Sequence, residues 1–378
     1  MPKPFVKWAG GKEGELKYIL PSLPEVINKY VEPFVGGGAL YFALANNDNI
    51  KERYINDFSS ELFFLYKEIR DDLRNLEIEI ATLMHNWSVL EHLVSNYGNC
   101  FIKYTNSFIE DGNTTILNDE ITAFIYSHSD DFNGLLRTGE NVQISNFEAE
   151  VRKYLLRKIK RIKKLVESGS RFSEKDILDN IETAFKASYY THVRNLYNQK
   201  EVKELSDFFT EAKQSAYFYF LREYCYASMF RYNRKGEFNV PYGGMDYNKK
   251  NIGNKLTNIK NDGIPSLLKK TNIGNFDFED FLKSIDLSKN DFVFLDPPYD
   301  SEFSEYAKNS FSKKDQTRLM EWTKNTKAKV MIVIKNTDFI YQLYNKKEFK
   351  ISSFDKKYMV NFNNRNDRKV KHLLITNY

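Results

Sequence analysis

The sequence predicts an α/β fold, with a sheet assembled from both ends of the chain and a large, mostly helical insert between them. Short apolar runs that end in glycine or acidic residues occur at 30–36, 53–57 and 291–298. Another continuous apolar run lies at 329–335, whereas the stretch from about 62 to 230 has mainly helical spacing. Strands near both termini and helices between them favour one sheet interrupted by an insertion.

The first strand prediction is YVEPFVG at 30–36, a short buried run that ends in a glycine turn. Helical spacing follows, and RYIND at 53–57 predicts the second strand, which completes a βαβ unit. DFVFLDPP, KVMIVIK and the closing VKHLLITNY predict three further strands. Continuous apolar strands imply a sheet that is covered on both faces.

The composition excludes several classes of protein. Hydrophobic residues make up 42% and charged residues 28%, which argues against a disordered or membrane protein. The N-terminal residues lack the apolar segment of a signal peptide. The two cysteines cannot build a disulfide framework, and the five histidines show no metal-ligand spacing, so we expect a cytoplasmic protein without a metal. The net charge of +5 permits binding to nucleic acid.

FVGGGAL at 34–40 is a glycine-rich turn between a strand and a helix, where the backbone can approach a ligand closely. Asp57 follows at the end of the next strand, about 20 residues on, as does the acid that binds ribose hydroxyls in dinucleotide folds. Tyr41 stands where a third glycine would make room for a pyrophosphate. A nucleoside ligand without phosphates therefore fits better, and a plain tight turn is the alternative.

KWAGGK at 7–12 is not a phosphate-binding P-loop, because Val6 and Glu13 stand where glycine and Ser or Thr are needed. Two interpretations remain for this segment. It is either a flexible lid whose Lys12 approaches a ligand carboxylate or a loop that carries a solvated lysine.

DPPY at 296–299 directly follows an apolar strand. The prolines restrict the backbone, so that Asp296 and the Pro297 carbonyl can accept hydrogen bonds from a planar amino group. Tyr299 can stack on the ring that carries this amino group. A simple turn at the end of a strand is the weaker interpretation.

Two basic segments are candidates for contact with a phosphate backbone. RYNRKGEFNVPYGG at 231–244 suggests a hairpin or loop with a basic tip, and a run of Lys and Arg at 151–164, with Lys158 and Arg161, has an apolar stripe at helical spacing. A solvated turn and a solvated helix face are the respective alternatives.

Together FVKWAGGK, YVEPFVGGGAL, INDFSSEL, RYNRKGEFNVPYG and DPPY resemble the Dam-like DNA adenine-N6 methyltransferases (D12 class, alpha group). The resemblance covers residues 1–67 and 225–378, because the tail is similar as well. It implies a Rossmann-like, S-adenosylmethionine-dependent methyltransferase core formed by 1–65 and 285–378. A helical target-recognition insert would occupy 66–230, and a hairpin and the FNVP loop would return to the core at 231–284.

The resemblance also implies roles for individual residues. Residues for S-adenosylmethionine would be Trp8 and Lys12 at its methionine end, Phe34, Gly36, Gly37 and Gly38 at the pocket floor, Asp57 at the ribose, Phe238 and Val240 over the adenine moiety, and Asp296. Asp296, Pro297, Pro298 and Tyr299 would hold the flipped target adenine. Arg231, Tyr232, Asn233 and Arg234 would contact DNA, as would Lys158 and Arg161.

The implied activity is site-specific methylation of adenine N6 in double-stranded DNA, in a restriction–modification system or a prophage. A cognate restriction endonuclease that acts separately is a candidate partner, and we expect association with a bacterial or phage nucleoid. The alternatives are a methyltransferase for RNA or for cytosine N4, and an inactive DNA-binding regulator. Relatives often carry Asn-Gly-Leu just before Arg-Tyr-Asn, whereas this chain has Ala227, Ser228, Met229 and Phe230 there, so the resemblance does not imply a recognition sequence.

Overall fold

The central sheet positions every candidate motif of the α/β core. A computed structural model of the chain describes residues 2–8, 10–128, 130, 132, 144–201, 208–229, 231–298, 311–357 and 369–378. In these residues the strands are β1 (Lys29–Glu32), β2 (Glu52–Asn56), β3 (Thr271–Gly274), β4 (Phe292–Leu295), β5 (Lys329–Lys335), β6 (Lys350–Lys357) and β7 (Lys369–Thr376). They form one sheet in the order β3-β2-β1-β4-β5-β7-β6. Pairing is parallel from β3 to β5, and β7 is antiparallel to both of its neighbours.

The strands form where the apolar runs predict them, with shorter limits. The predicted strand at 30–36 already ends at Glu32, because Pro33 has no N–H to continue the ladder and a turn begins there. β4 is buried at every position, and β5 is buried along its whole interior, which agrees with a sheet covered on both faces.

Helices from both ends of the chain cover the sheet. They are α1 (Leu16–Ile19), α2 (Ala39–Ala43), α3 (Ser60–Asp71), α10 (Ile264–Lys269), α11 (Phe278–Lys283), α12 (Lys313–Asn325) and α13 (Asp338–Tyr344). Residues from α11, α12 and α13 form a buried cluster with Val31, Val293 and Ile332 of the sheet. Tyr30 and Phe292 point to the opposite face, where Tyr41 of α2 packs against Tyr30.

A second set of helices lies between β2 and β3 in the sequence. They are α4 (Leu73–Asp111), α5 (Thr114–Ser127), α6 (Ile144–Glu167), α7 (Glu174–Tyr197), α8 (Glu211–Tyr224) and α9 (Gly253–Asn261). The chain divides into a sheet unit, made of 1–73, 229–237 and 255–378, and a helical unit, made of 74–228 and 238–254. The prediction of a Rossmann-like α/β core with a large, mostly helical insert is therefore confirmed.

The helical unit has an aromatic core of its own. Trp87 of α4 is 2% exposed, and its ring contacts Phe220 and Tyr224 of α8 as well as Tyr242. A capping box at Ser173 and Asp176 fixes the beginning of α7. Among the helices that the structure describes, none is long and apolar enough to cross a membrane.

Parallel pairing brings three of the predicted motifs to one edge of the sheet. β1 lies between β2 and β4, and Val31 is in register with both Tyr54 and Val293. The carboxyl ends of these three strands therefore lie side by side, at the point where the strand order reverses. Ligands of open α/β sheets bind at such a switch point.

Candidate active site

Lys12 and Asp296 form the centre of the site, although they lie at opposite ends of the chain. Lys12 Nζ lies 2.5 Å from Asp296 Oδ1 and donates a second hydrogen bond to the Gly10 carbonyl at 2.8 Å. Lys12 is only 2% exposed. The interpretation of this segment as a loop with a solvated lysine is therefore wrong, because the lysine is buried in an ion pair.

Asp296 is held as a largely buried acceptor at the end of β4. Burial raises the pKa of its carboxyl, and the charge and hydrogen bond of Lys12 oppose that rise without cancelling it. Among the described residues, no donor bonds the second carboxylate oxygen, Oδ2, whereas Lys12 occupies Oδ1. Within the described part of the chain, Oδ2 is therefore the oxygen of Asp296 that a ligand could use.

The glycine turn after β1 approaches both the N-terminal segment and β2. Gly36 has a φ of +48° and Gly38 a φ of +73°, values that side chains rarely tolerate. A Cβ on Gly36 would lie 2.7 Å from Trp8 Cδ1. The turn therefore needs glycine both for its backbone conformation and for the close approach of Trp8.

Asp57 ties this turn to the end of β2. Its Oδ2 accepts a hydrogen bond from the Gly36 N–H at 2.9 Å, and its Oδ1 accepts one from the Ser59 N–H at 2.9 Å. Burial raises the pKa of Asp57 to about 6, although both backbone hydrogen bonds lower it. The predicted turn and the predicted acid thus meet at the edge of the sheet, and the ribose contact of Asp57 stays a prediction.

Two exposed aromatic side chains next to Asp57 were missed by the sequence analysis. Phe58 is 53% exposed and Phe276 is 59% exposed. Asn56 holds the Phe276 backbone at the end of β2 through hydrogen bonds to its carbonyl and its N–H, at 3.0 Å and 2.8 Å. Two exposed rings beside a buried acid at the carboxyl edge of the sheet are a candidate ligand surface, and the position of Phe58 directly after Asp57 was the available clue.

Glu32 is a second residue that the sequence analysis missed. It ends β1, is 2% exposed, and accepts a hydrogen bond from the Tyr30 hydroxyl at 2.6 Å. Burial raises the pKa of Glu32 well above its usual value, and the charges of Asp296 and Asp57 add to that rise. The available signal for a functional role was an acidic residue within an otherwise apolar strand, directly before Pro33.

The rest of DPPY and the predicted pocket floor are placed as follows. Pro297 is buried, whereas Pro298 is exposed and its carbonyl accepts a hydrogen bond from Gln316 Nε2 at 3.0 Å. Tyr299 lies outside the described residues. The ring of Phe34 packs against Phe278 with their centroids 5.6 Å apart.

The segment at 231–237 forms a turn with its cations outside. Asn233 Oδ1 accepts hydrogen bonds from the N–H groups of Lys235 and Glu237, at 2.9 Å and 3.0 Å. Tyr232 is 5% exposed and donates a hydrogen bond from its hydroxyl to Glu61 at 3.0 Å. Arg231 and Arg234 are exposed. Contact of these residues with DNA stays a prediction.

Phe238 and Val240 belong to the helical unit, where both are buried. The Phe238 carbonyl accepts a hydrogen bond from Asn198 Nδ2 at 3.0 Å, and the Val240 carbonyl accepts one from the Tyr190 hydroxyl at 2.9 Å. Their assignment to the adenine moiety of a cofactor stays a prediction.

Helix α6 carries a group of cations without acidic partners among the described residues. Burial lowers the pKa of Lys158, and the neighbouring Arg161 and Arg157 lower it further. Other lysines of this helix do have partners, since Lys153 pairs with Glu150 at 3.0 Å. An anion beside Lys158 would relieve this repulsion.

The described residues contain no group of three or more His, Cys, Asp or Glu side chains that could hold a metal ion.

Comparison with known proteins adds a family match to this geometry. Residues 8–180 and 163–360 match the family of D12 class N6 adenine-specific DNA methyltransferases. The type II methyltransferase M.MjaIII of Methanocaldococcus jannaschii is 28% identical, with 100% of this chain and 99% of that protein covered. The type II methyltransferase M.CviBI of Paramecium bursaria Chlorella virus NC1A is 27% identical, with both chains covered in full. The type II methyltransferase M1.LlaDCHI of Lactococcus lactis subsp. cremoris is 24% identical over 100% of this chain and 95% of its own.

Proposed function

The chain belongs to the D12 class N6 adenine-specific DNA methyltransferases, and from this premise we propose that the carboxyl edge of its sheet holds S-adenosylmethionine beside a flipped adenine. The ion pair between Lys12 and Asp296 is the observation that carries this assignment. It places a buried carboxylate with one available oxygen at the switch point of the sheet.

Asp296 would bind the amino group of the target base. Its available oxygen and the Pro297 carbonyl would each accept one N–H of adenine N6, which favours the tetrahedral nitrogen of the transition state over the flat amino group. Lys12 keeps negative charge on Asp296 against the effect of burial. A base within a duplex cannot reach such a buried acceptor, so the target must leave the helix, at a cost of a few kcal/mol.

The residues around Asp57 fit the nucleoside part of S-adenosylmethionine. Asp57 would accept hydrogen bonds from the ribose hydroxyls in addition to those from the backbone of Gly36 and Ser59. The exposed rings of Phe58 and Phe276 would provide apolar surface for the adenine moiety. Trp8 borders the glycine turn, and Lys12 lies beside Asp296. When bound, the cofactor would supply an electrophilic methyl group on its sulfonium.

The helical unit is the candidate for DNA recognition. Its cationic group on α6 has no acidic partners in the described structure, and phosphate oxygens would neutralise it. Arg231 and Arg234 offer a second exposed basic patch, on the sheet unit. Phosphate contacts of this kind position an enzyme on DNA without specifying a sequence.

Three relatives of this chain carry the name type II methyltransferase. We infer a similar setting here, in which methylation protects a recognition site from a separately acting endonuclease.

Asp296→Ala tests the assignment of the active site. We expect the transfer of labelled methyl groups to duplex DNA to fall by a factor of about 100 or more, because the acceptor for N6 is lost. Asp286→Ala is the matched control, since Asp286 is an exposed carboxylate before the opposite end of β4. Binding to DNA, measured by gel shift, should survive both changes.

Undiminished transfer by Asp296→Ala would overturn the assignment of Asp296. Single-molecule sequencing of DNA from a methylation-free host that expresses the chain would identify the recognition sequence. The same data would reveal modification of cytosine N4 if that were the true product.

A further inference from the structure

A buried cluster of charges lies behind Lys12, and no motif of the sequence analysis includes it. Glu15 is 3% exposed, and its Oε1 forms an ion pair with Lys356 of β6. His372 of β7 is fully buried, with its Nδ1 3.2 Å from Glu15 Oε2. Burial raises the pKa of Glu15, but the neighbouring His372, Lys12 and Lys356 lower it by more, so Glu15 is ionised.

One tight turn connects this cluster to the active site. The N–H groups of Glu15 and Leu16 both donate to the Lys12 carbonyl, at 2.9 Å and 3.1 Å. From this turn Lys12 reaches Asp296, whereas Glu15 reaches β6 and β7. The turn is therefore fixed on both sides, by the end of β4 and by the antiparallel pair of strands.

We propose that Glu15 and Lys356 are positioning residues that hold Lys12 against Asp296 and set the charge around that carboxylate. This inference rests on the proposed role of Asp296 as acceptor for the target amino group. Neither residue would touch the substrate.

Charged residues perform this role differently from an apolar contact. A buried ion pair adds little net stability, because desolvation offsets the attraction. It does fix the positions of its two side chains, and its charges act on nearby titratable groups. Glu15 raises the pKa of Asp296 and Lys356 lowers it, so the two charges act in opposite directions on the active-site carboxyl. The charged and titratable groups around Asp296 are Lys12 and Glu15 of the N-terminal turn, Glu32 of β1, Asp57 after β2 and Lys356 of β6, with His372 of β7 against Glu15.

The test is the acid limb of the pH profile of kcat/KM for DNA methylation, measured at saturating S-adenosylmethionine so that the titration of Asp57 does not contribute to the limb. Asp296 must be ionised to accept the amino group, so activity falls as the pH drops through its pKa. Lys356→Met removes a cation and should shift this limb to higher pH, by about half a unit. Glu15→Gln removes an anion and should shift the limb to lower pH by a similar amount.

Lys356→Arg keeps the charge and should retain the wild-type profile. Lys350→Met is the matched control, because Lys350 is an exposed residue at the other end of β6. Melting temperature and the Kd for S-adenosylmethionine, measured by calorimetry, provide readouts besides activity. The Kd should rise for Lys356→Met and Glu15→Gln but not for Lys350→Met, because Lys12, which the pair holds in place, lies at the methionine end of the cofactor in the proposed site.

Opposite shifts for Lys356→Met and Glu15→Gln support the proposal, because a merely structural defect would lower activity without shifting the acid limbs of the two variants in opposite directions. Absent shifts, or shifts in the same direction, overturn it. If Glu15→Gln fails to fold, Lys356→Met and Lys356→Arg still test the proposal, because only Lys356→Met should shift the acid limb to higher pH. A failure of the proposed active site has a different signature, namely undiminished methylation by Asp296→Ala.

Discussion

At the scale of single residues, Asp57 shows how burial and hydrogen bonds act in opposite directions on the pKa of one carboxyl. In the described structure its carboxylate holds the glycine turn through the Gly36 N–H and begins the next turn through the Ser59 N–H. Burial makes the ionised form costly and raises its pKa to about 6. A ribose that donates two hydroxyl groups would favour the ionised form.

Binding of S-adenosylmethionine should therefore depend on pH through Asp57. We expect a constant Kd above pH 7 and weaker binding as the pH falls through about 6, because the protonated carboxyl loses acceptor capacity. Calorimetric titrations between about pH 5 and pH 8 measure this dependence, since this range brackets the raised pKa of Asp57 and lies above the ordinary carboxyl pKa of about 4. Asp57→Asn should bind weakly at every pH, and a variant that kept the wild-type pH dependence would contradict the assignment.

Ala227 and Ser228 show a different effect at the same scale. Both have positive φ, at 53° and 51°, although neither is glycine. Left-handed backbone costs a side-chain-bearing residue roughly 1–2 kcal/mol. This strain lies just before the basic turn at 231–237.

At the scale of elements, the turn after β1 depends on what packs against it. Pro33 ends the strand, Gly36 and Gly38 adopt positive φ, and Trp8 lies directly against Gly36. The Tyr66 hydroxyl donates to the Gly36 carbonyl at 3.1 Å, which fixes the turn on α3. The conformation is thus set by contacts from two other parts of the sheet unit, the N-terminal segment and α3.

Gly36→Ala should disrupt this turn and weaken S-adenosylmethionine binding at least tenfold, because strain and the displacement of Trp8 together exceed about 1.4 kcal/mol. The matched control is Gly14→Ala, since a Cβ at Gly14 would meet nothing within 4 Å. Fluorescence of Trp8 and calorimetry measure the two effects. Equal affinities for the two variants would show that the turn is not part of the cofactor site.

At the scale of the whole molecule, the net charge of +5 is too small to explain attraction to DNA, so the distribution of charge must do so. The cations around Lys158 on α6 are concentrated in the helical unit and have no acidic partners among the described residues. Local concentration of this kind, rather than net charge, decides which surface contacts phosphates.

The double change Lys158→Met with Arg161→Met should therefore reduce the salt dependence of DNA binding. We expect the slope of log K against log salt concentration to fall by about 2, one unit for each lost phosphate contact. Lys289→Met with Lys324→Met is the control, because both lysines lie near the amino ends of β4 and β5, away from the carboxyl edge. Fluorescence anisotropy over a range of salt concentrations measures the slopes, and equal slopes would exclude α6 from the DNA interface.

The sequence by itself determined the local elements and the identity of the motifs. Apolar runs predicted β1, β2, β4, β5 and β7, because a buried strand requires continuous apolar residues. DPPY, FVGGGAL and the acid at 57 indicated the family, which the comparison confirms. The basic run at 151–164 predicted a helix, and α6 extends beyond this run on both sides, over Ile144–Glu167.

Only the tertiary structure decided which distant residues meet. The Lys12–Asp296 ion pair joins residues at opposite ends of the chain, because β1 and β4 become neighbours in the sheet. Glu15 and Phe276 lie outside the motifs, and Glu32 lies within YVEPFVGGGAL without a predicted role; the positions of all three depend on burial and on strand order. Spacing along the chain reports local geometry, whereas burial, ion pairing and the resulting shifts in pKa arise only when separate segments pack together.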